Sequence, residues 1–466
     1  MKLTRAFARS LALLGLAVPA ALGAQGFGLN EIGSCAVARG HAVTAAPCDD
    51  PSAIYWNPAS PATMKGWSVY AGVAAIAVGG EFSADTTGAV FEGDVPTEYP
   101  PHLFVNYGAD RWAAGLGVYV PYGLTSQWKD DFPGRFSAKK ASLASIYIQP
   151  NLAYQLAPGW SIGGGPIIGH SSVELIQAID LSQQPAPGLP VTFAQFGIAP
   201  GTEFARARLE GSAWAYGFNV GVHGVLAPNV QIGARYLSKL KFDYDDADAT
   251  FTQTQTNLTI PADLTLPGGI VIPAGTPVDA IVGPQFTTGG ALVSQKVSTS
   301  IEHPAQFQIG LGFTGIPRTT LSAEYVWIGW KAFKELPVEF KGPASGNNRI
   351  LIEDFSNTWG VRTGAQYDFM NGWAGRAGFS YARTPAPDVT VTPLLPDMDR
   401  YNYSLGLGIP LGDRFKVDAS YLRVDTEGRR GRIVERPTRS LTAAQLNTGF
   451  YTLDANIFSL SLRAQF

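Results

Sequence analysis

Alternation of apolar and polar residues is the feature that most constrains what this chain can fold into. Between Phe458 and Phe466 every even-numbered residue is apolar and every odd-numbered residue is polar. The same period of two recurs at residues 146–155, 359–367 and 415–421. Side chains of an extended strand point alternately to its two sides. The pattern therefore predicts an all-β chain whose strands each have one apolar face.

The first residues of the chain have a different pattern. Lys2, Arg5 and Arg9 give a positively charged start, Leu11–Val18 form a short apolar core, and small residues follow. These are the parts of a secretory signal peptide, which we place at residues 1–24. No later run approaches the roughly 20 consecutive apolar residues of a membrane helix. An exported, strand-rich chain of this kind is either a periplasmic or secreted β-protein or an outer-membrane barrel.

Three features favour the barrel over a soluble β-sandwich, which shows the same alternation with its apolar face inward. The chain is 11% aromatic but only 15% charged, and it ends on Phe466 within a strand-like segment, as bacterial outer-membrane barrels do. Aromatic residues also cluster at the segment ends, as an interfacial girdle requires. They are Trp67, Tyr107, Trp112, Trp160, Tyr236, Trp359, Trp373 and Tyr421. We therefore expect the chain in a bacterial outer membrane.

Short turns and long connections alternate along the chain. The short turns lie at Gly108–Arg111, Ala157–Trp160, Ala227–Asn229, Gly315–Arg318, Met370–Gly372 and Gly412–Arg414. The long connections lie at about 80–98, 121–141, 177–205, 245–297, 331–355, 384–398 and 425–450. Outer-membrane barrels have short periplasmic turns and long external loops. The sequence thus predicts a transmembrane antiparallel β-barrel of about 14 strands over residues 66–466, with both chain ends periplasmic.

The segment before the first strand, residues 25–65, follows neither a strand period nor a helix period. It is rich in Ala, Gly, Ser and Pro, and by itself it could not bury a core. Two interpretations follow from its composition. It is either a disordered leader or a hatch, meaning a plug held inside the lumen of the barrel.

The order of residues in this segment decides between them. It opens with Gly26-Phe27-Gly28-Leu29-Asn30-Glu31, continues with Asp49-Asp50 and ends with Asn57-Pro58-Ala59. This order resembles the N-terminal hatch of the FadL family, outer-membrane transporters for long-chain fatty acids and related hydrophobic compounds. Similar blocks occur at Pro121-Tyr122-Gly123-Leu124, at 235–244 and at 373–400. The resemblance covers nearly the whole mature chain and is weakest in the loops 177–205 and 245–297.

The resemblance implies a gate in the barrel wall. It places Asn57-Pro58-Ala59 beneath an inward kink of the third strand, which in this chain carries Gly115 and Gly117 and is expected to end at Pro121. Gly and Pro weaken a ladder and mark bulges or breaks. The expected consequence is a lateral opening through which ligand leaves the lumen into the bilayer. The alternative is that the tripeptide is an ordinary turn before the first strand.

Ligand-binding residues are expected at two places. The resemblance implies that Phe27 and Leu29 line the pocket and shift to release ligand. The alternative is that each of them simply anchors the hatch. A fatty-acid carboxylate also needs a cation or donor in the lumen, and alternation turns Arg235 and Arg362 inward, as it does the less favourably placed Arg376 and Arg463. Inward arginines of barrels also serve in solvated ladders with carboxylates.

Cys35 and Cys48 are the two cysteines of the chain, and both fall in the hatch segment. In an oxidising compartment a disulfide between them would restrain the hatch by about 3 kcal/mol. The alternative is two buried free thiols. Their spacing, with a single nearby His41, is a poor zinc pattern. We therefore predict a possible disulfide and neither a metal nor a cofactor.

The long external connections carry two further features. An acidic cluster at an outer strand end is interpreted as a solvated loop, with divalent-cation bridging to lipopolysaccharide as the alternative; it comprises Asp243, Asp245, Asp246 and Asp248. Apolar loop residues either gather hydrophobic ligand or pack on each other. They include Phe193, Phe196, Ile270 and Val271.

Of the possible function classes, the sequence favours transport. The chain lacks the H-E-x-x-H and P-loop patterns, and His170 and Ser171 are strand neighbours that face opposite sides. We therefore predict that it is not an enzyme. A net charge of −3 gives no reason to expect nucleic acid. We predict a monomeric passive transporter, in contact with outer-membrane lipid and lipopolysaccharide. Long-chain fatty acids are the first cargo, monoaromatic hydrocarbons the alternative, and a general porin or an adhesive barrel the competing classes.

Overall fold

The computed structural model describes residues 26–466, except for a few positions and short segments. The exceptions are residues 86, 185–191, 266–268, 270, 343–344, 346–347 and 432–447. The predicted signal peptide, residues 1–24, lies outside the described residues. Within the described part of the chain, fourteen antiparallel strands form one closed sheet, because the last strand pairs with the first from Ser68↔Gln465 to Ala84↔Gly449. The predicted strand number is confirmed.

The strands follow one another around the barrel in chain order, and β7 to β10 each consist of two segments. They are β1 (Gly66–Ala84), β2 (Pro101–Gly108), β3 (Trp112–Gln127), β4 (Lys140–Ala157), β5 (Trp160–Ile179), β6 (Ala205–Ala227), β7 (Val230–Leu237 and Leu240–Gln253), β8 (Gln295–His303 and Gln306–Ile316), β9 (Thr319–Ile328 and Glu335–Phe340), β10 (Arg349–Ile352 and Thr358–Asp368), β11 (Ala374–Ala382), β12 (Arg400–Leu411), β13 (Phe415–Thr426, followed by Arg429–Gly431) and β14 (Gly449–Gln465). The predicted short turns join neighbouring strands.

The burial pattern is the reverse of that in a soluble protein. Large apolar side chains such as Leu152, Leu405 and Phe458 are exposed on the outer face, and polar side chains such as Gln149 and Ser459 are buried inside. This is the arrangement of a barrel in lipid, where the outer surface must be apolar. Among the described residues, no helix is both long enough and apolar enough to cross a membrane.

The hatch segment, from residue 26 onward, packs inside the barrel. It contains two short helices, α1 (Ser34–Ala38) and α2 (Ala53–Trp56), and a 3₁₀ turn at Ser60–Thr63. Close approach to the wall requires small residues. At Gly40, which has φ +59, an added Cβ would lie 2.7 Å from Thr363 O and Phe379 N. No larger residue fits there without moving the hatch away from the wall.

Several strands extend further outward than their predicted ends. The connection predicted at 121–141 is wrong, since β3 continues to Gln127, and the one predicted at 331–355 contains a hairpin formed by β9 and β10. The interpretation of the acidic cluster as a loop is also wrong. Asp243 to Asp248 lie within β7, and Lys241, Lys296 and Lys341 contact carboxylates of the cluster. Above the membrane both faces of a strand meet water, so alternation no longer marks its end.

The external loops between β5 and β6 and between β7 and β8 pack on each other. Phe193 is fully buried beside Phe204, Ile260 and Val278. Val271 is exposed. The side chain of Phe196 and the whole of Ile270 lie outside the described residues.

Candidate functional site

The barrel wall is interrupted between β2 and β3. Their ladder ends at Leu103↔Val118, and the next bond along this edge is from Asp94 N to Gln127 O, at 2.8 Å. Against β4, β3 shifts register between Tyr119 and Tyr122. Over residues 119–126, all within the described chain, β3 therefore has no ladder with β2. The predicted strand end at Pro121 is wrong, because the strand continues beyond the break.

The main chain of the hatch fills this break. Leu29 N donates a hydrogen bond to Pro121 O at 2.9 Å, and Gly123 N donates one to Phe27 O at 3.0 Å. Gly28 and Tyr122 thus form an antiparallel bridge. The hatch supplies to the inner edge of β3 the partners that β2 does not.

Aromatic rings hold this hatch strand in place. The ring centroid of Phe27 lies 4.7 Å from that of Trp330, 5.3 Å from Phe333 and 5.7 Å from His303. Tyr122, at the bulge of β3, lies with its tilted ring 4.5 Å from that of His303 and donates a hydrogen bond to Pro304 O at 2.8 Å. The hatch strand, the bulge and the interruption of β8 therefore form one packed cluster.

An apolar cavity lies directly above Phe27, on the external side. It has room for the centres of water-sized spheres over about 90 Å³. Its lining is almost entirely hydrocarbon. The residues around it are Phe27, Leu124, Ala141, Ser142, Leu143, Val173, Glu174, Leu175, Leu209, Glu210, Ala247, Val297, Thr299, Ile301, Phe333, Leu336, Val338, Leu394 and Leu395. Phe27 forms the floor of this cavity. A hydrophobic molecule is the ligand such a lining favours.

The comparisons with known proteins identify the family. The family model described as outer membrane protein transport protein (OMPP1/FadL/TodX) matches residues 15–466. The chain belongs to this family. It is 25% identical, over 85% of its length and 86% of the relative's, to the long-chain fatty acid transport protein of Escherichia coli O6:H1. Its relatives are transporters and channels rather than enzymes, and it is accordingly a FadL-type outer-membrane transporter of hydrophobic compounds.

Solved structures show the same fold. A Pseudomonas aeruginosa FadL homologue superimposes with a TM-score of 0.77 at 21% identity, covering 95% of this chain and all of that one. The Pseudomonas putida toluene transporter TodX superimposes with a TM-score of 0.65 at 15% identity, covering 95% and 99% of the two chains. The barrel with about 14 strands is thus shared across FadL relatives of different names.

In this FadL-type barrel the tripeptide Asn57-Pro58-Ala59 lies away from the break. Asn57 Nδ2 donates to Thr44 O and, across to β6, to Val222 O at 2.9 Å; Asn151 Nδ2 on β4 donates to Pro58 O at 3.0 Å. The expectation that it packs beneath the kink of the third strand is therefore wrong. Tyr55 contacts the kink instead, with its ring 4.8 Å from that of Tyr119.

Gly115 and Gly117 lie below the break, paired with β2 and β4 in a regular ladder. The sequence suggested that these glycines interrupt the strand, but the strand continues through both of them. An added Cβ at Gly115 would lie 2.7 Å from Ile54 Cδ1 of the hatch, and one at Gly117 would lie 3.3 Å from Ile54 Cγ2. The two glycines provide the space into which α2 docks.

The predicted ligand residues divide into two groups. Phe27 lines the cavity, whereas Leu29 does not: its side chain is half-buried against β3, where Gly123 leaves room for it. Arg235 and Arg362 are absent from the lining of the cavity. Arg235 Nε donates to Asn219 at 3.1 Å and its guanidinium lies 4.1 Å from the ring of Tyr55. In this structure its role is to hold the hatch.

Arg362 and the two less favoured arginines also contact the hatch or its surroundings. Arg362 Nη2 donates to Asn30 Oδ1 at 3.0 Å. Arg376 forms a buried ion pair with Asp418 at 2.5 Å, and Arg463 pairs with Asp49. The structure also joins Cys35 and Cys48 of the hatch in a disulfide, with their Cα atoms 6.2 Å apart.

Sequence reasoning missed the external half of the site. Trp330 and Phe333, which pack on Phe27, lie in a connection that had been treated only as a loop, and Leu336 and Leu395 line the cavity from similar segments. The available signal was a pair of aromatic residues three apart at the start of this connection. Nearby, burial raises the pKa of Glu353 to about 7. Its main-chain N–H donates a hydrogen bond to Lys334 O, beside Phe333 of the cavity lining.

Proposed function

We propose that this protein carries hydrophobic molecules passively across the outer membrane, with long-chain fatty acids as cargo, and releases them sideways through the break between β2 and β3. One observation carries the proposal. Phe27 lines the apolar cavity from below, while its own carbonyl accepts the bond from Gly123 that fills the break. Withdrawal of this single hatch strand would join the cavity to the opening in the wall.

The chemistry of the cargo favours a lateral exit. Each CH₂ group moved from hydrocarbon into water costs about 0.8 kcal/mol. An acyl chain that left toward the periplasm would meet that cost along its whole length, whereas one that left through the wall would pass from one apolar environment to another. The hatch itself blocks the periplasmic route, because its residues from 53 to 62 are all buried.

The identity of the cargo is supported by the relatives, and one observation favours a second candidate. The E. coli relative is named a long-chain fatty acid transport protein. However, none of the described residues around the cavity carries a positive charge, and Glu174 of the lining already pairs with Lys140 and Arg208. Monoaromatic hydrocarbons need no cation, and TodX is named a toluene transporter. They are the alternative cargo.

We also propose that the protein is a monomer. The barrel closes within one chain through β1 and β14, which supports a monomer in contact with outer-membrane lipid. The lysines that contact the acidic residues of β7 satisfy these carboxylates within the chain. This weakens the idea of cation bridging to lipopolysaccharide at that place.

The test is uptake of labelled oleate and labelled toluene by cells that lack their own FadL-type channel and express this protein. Oleate uptake above that of cells with an empty vector supports fatty acids as cargo, and uptake of toluene alone changes the cargo and keeps the transporter. A small labelled sugar is the matched polar control. Entry of the sugar without either hydrophobic compound would show a general porin and contradict the proposal.

A further inference from the structure

The barrel wall has a second interruption, between β6 and β7. β6 pairs with β7 at its external end, residues 205–210, and at its periplasmic end, residues 219–227. Between these ladders, residues 211–218 face residues 238–247 of β7. Both segments are fully described, and the only hydrogen bonds across this gap are those of Phe218 with β7.

Along this gap β7 leaves the barrel wall and runs on its luminal side. Tyr244 Oη donates a hydrogen bond at 2.8 Å to Ser171 Oγ of β5. An added Cβ at Gly169, also on β5, would lie 3.0 Å from both Leu240 and Phe242. Because β6 separates β7 from β5 in the sheet, side chains of β7 reach β5 only by passing over the inner face of β6.

The inner face of β6 is made of small residues where β7 crosses it. They are Gly211, Ala213, Ala215 and Gly217. The outer face of the same segment carries Trp214 and Tyr216, which are 58% and 74% exposed. Below them the outer face is apolar, and above them Arg208 and Glu210 are charged. Aromatic residues between apolar and charged surface mark the membrane interface, so the interruption lies at the level of the external headgroups.

Two cavities meet at this interruption. On the outer face a polar cavity of about 540 Å³ is lined by Ser142, Ser172, Val173, Glu174, Arg208, Glu210, Gly211, Ser212, Asp246 and Asp248. Four of these residues also border the apolar cavity above Phe27; they are Ser142, Val173, Glu174 and Glu210. The two cavities therefore share part of their lining on β4, β5 and β6, next to the external end of the gap.

We propose that the gap between β6 and β7 is a lateral inlet, through which a hydrophobic small molecule enters the apolar cavity from the level of the external headgroups. Leu240, Phe242 and Tyr244 cover the gap from inside, and their movement away from the small residues of β6 opens it. The unpaired strand edges are tolerable there because water reaches this level, whereas in the hydrocarbon they would cost several kcal/mol per group. This inference rests on the proposed transport function.

The experiment is a disulfide across the gap. An added Cβ at Gly211 lies beside Ala247 Cβ, at 2.7 Å, so the Gly211→Cys/Ala247→Cys pair can be oxidised after a small adjustment. The full-length protein is reconstituted in vesicles, and uptake of oleate and toluene is measured before and after reduction. The matched control is Leu407→Cys/Ala419→Cys, a register pair on the opposite wall where the strands are already hydrogen bonded.

If the gap is the inlet, oxidation of the Gly211→Cys/Ala247→Cys pair closes the main route of entry. Uptake should then slow about tenfold or more, and reduction should restore the rate. The control pair should leave uptake unchanged. Unchanged uptake in the oxidised gap pair overturns the inlet while the transport function stands. Absence of oleate and toluene uptake by the parent protein would instead overturn the transport function itself, so the two failures are distinguishable.

A second measurement covers the case in which the cysteine pair does not fold. Both native cysteines are in a disulfide, so a single Ala215→Cys variant provides the one reactive thiol beneath the covering side chains. A membrane-soluble maleimide should label it faster than Ala153→Cys, which is equally inward-facing but lies in a paired strand. The Tyr244→Phe change, which removes the bond to Ser171, should raise labelling about fivefold. Equal, slow labelling of both thiols contradicts the inlet.

Discussion

The two interruptions of the wall lie on either side of the β3–β6 panel and are filled in different ways. Between β2 and β3 the missing partner is replaced by main chain, since Phe27 and Leu29 of the hatch hydrogen-bond the edge of β3. Between β6 and β7 the gap is covered by side chains of β7 itself, with Tyr244 fastened to Ser171. The first filler belongs to a separable segment and the second to the barrel. In the two proposals, the hatch therefore gates one break and local side-chain movement gates the other.

The largest expected effect comes from fixing the hatch strand to β3. The Gly28→Cys/Tyr122→Cys pair joins the two bridged residues, and its oxidation should reduce oleate or toluene uptake to the level of cells without the protein, because the cavity can no longer meet the break. The Tyr122→Cys single variant controls for the lost ring. Normal uptake by the oxidised pair would show that ligand does not leave through this break.

A smaller effect is expected when the floor of the cavity is weakened. Phe27→Ala removes a buried ring packed on Trp330 and Phe333, and a truncation of this kind costs about 3–5 kcal/mol. The hatch strand should detach more readily, so that uptake becomes faster and the thermal unfolding midpoint falls. Phe313→Ala, on the lipid-facing side of β8, is the matched control. A slower uptake with an unchanged midpoint would assign Phe27 to ligand binding alone.

Removing a side chain that holds the hatch in place should leave ligand affinity unchanged. Arg235→Met removes a buried charged donor that contacts Asn219 and Tyr55, at a cost of about 1.5–3 kcal/mol. We expect faster proteolysis of the hatch and an unaltered Kd for oleate in the purified protein. Arg208→Met, an exposed rim variant, should change neither measurement. A lost affinity for oleate with a protease-resistant hatch would return Arg235 to the role of head-group ligand.

The smallest expected effect is on stability rather than transport, and it concerns Glu353, near the cavity. Burial raises the pKa of Glu353 from 4.5 to about 7. The folded protein therefore keeps a proton that the unfolded chain releases above pH 4.5, and the stability that this proton provides is lost as the pH rises through 7. Glu353→Gln should raise the free energy of unfolding at pH 8 by at most about 3 kcal/mol and should leave it unchanged at pH 4. An equal change at both pH values would show that the carboxyl is not buried in solution.

The disagreements between sequence and structure have physical causes. Alternation predicted the strands correctly within the membrane, but β3, β7 and β9 continue where both faces are wet and the period fades. Arg235 and Arg362 were correctly turned inward, yet an inward direction does not reveal the partner, and both contact the hatch. The gap at β7 left one trace in the sequence, the small residues from Gly211 to Gly217, which have meaning only once β7 is known to cross them.

The sequence by itself determined the architecture. The strand period and the alternation of turn lengths predict a membrane barrel of this size, because strands can satisfy their main-chain groups in lipid only as a closed sheet. Its motif order also determined the family. Only the tertiary structure decided where the wall is incomplete and what fills it. A missing ladder depends on the path of two segments relative to each other, and Gly28 meets Tyr122, far along the sequence, because the hatch folds back into the lumen.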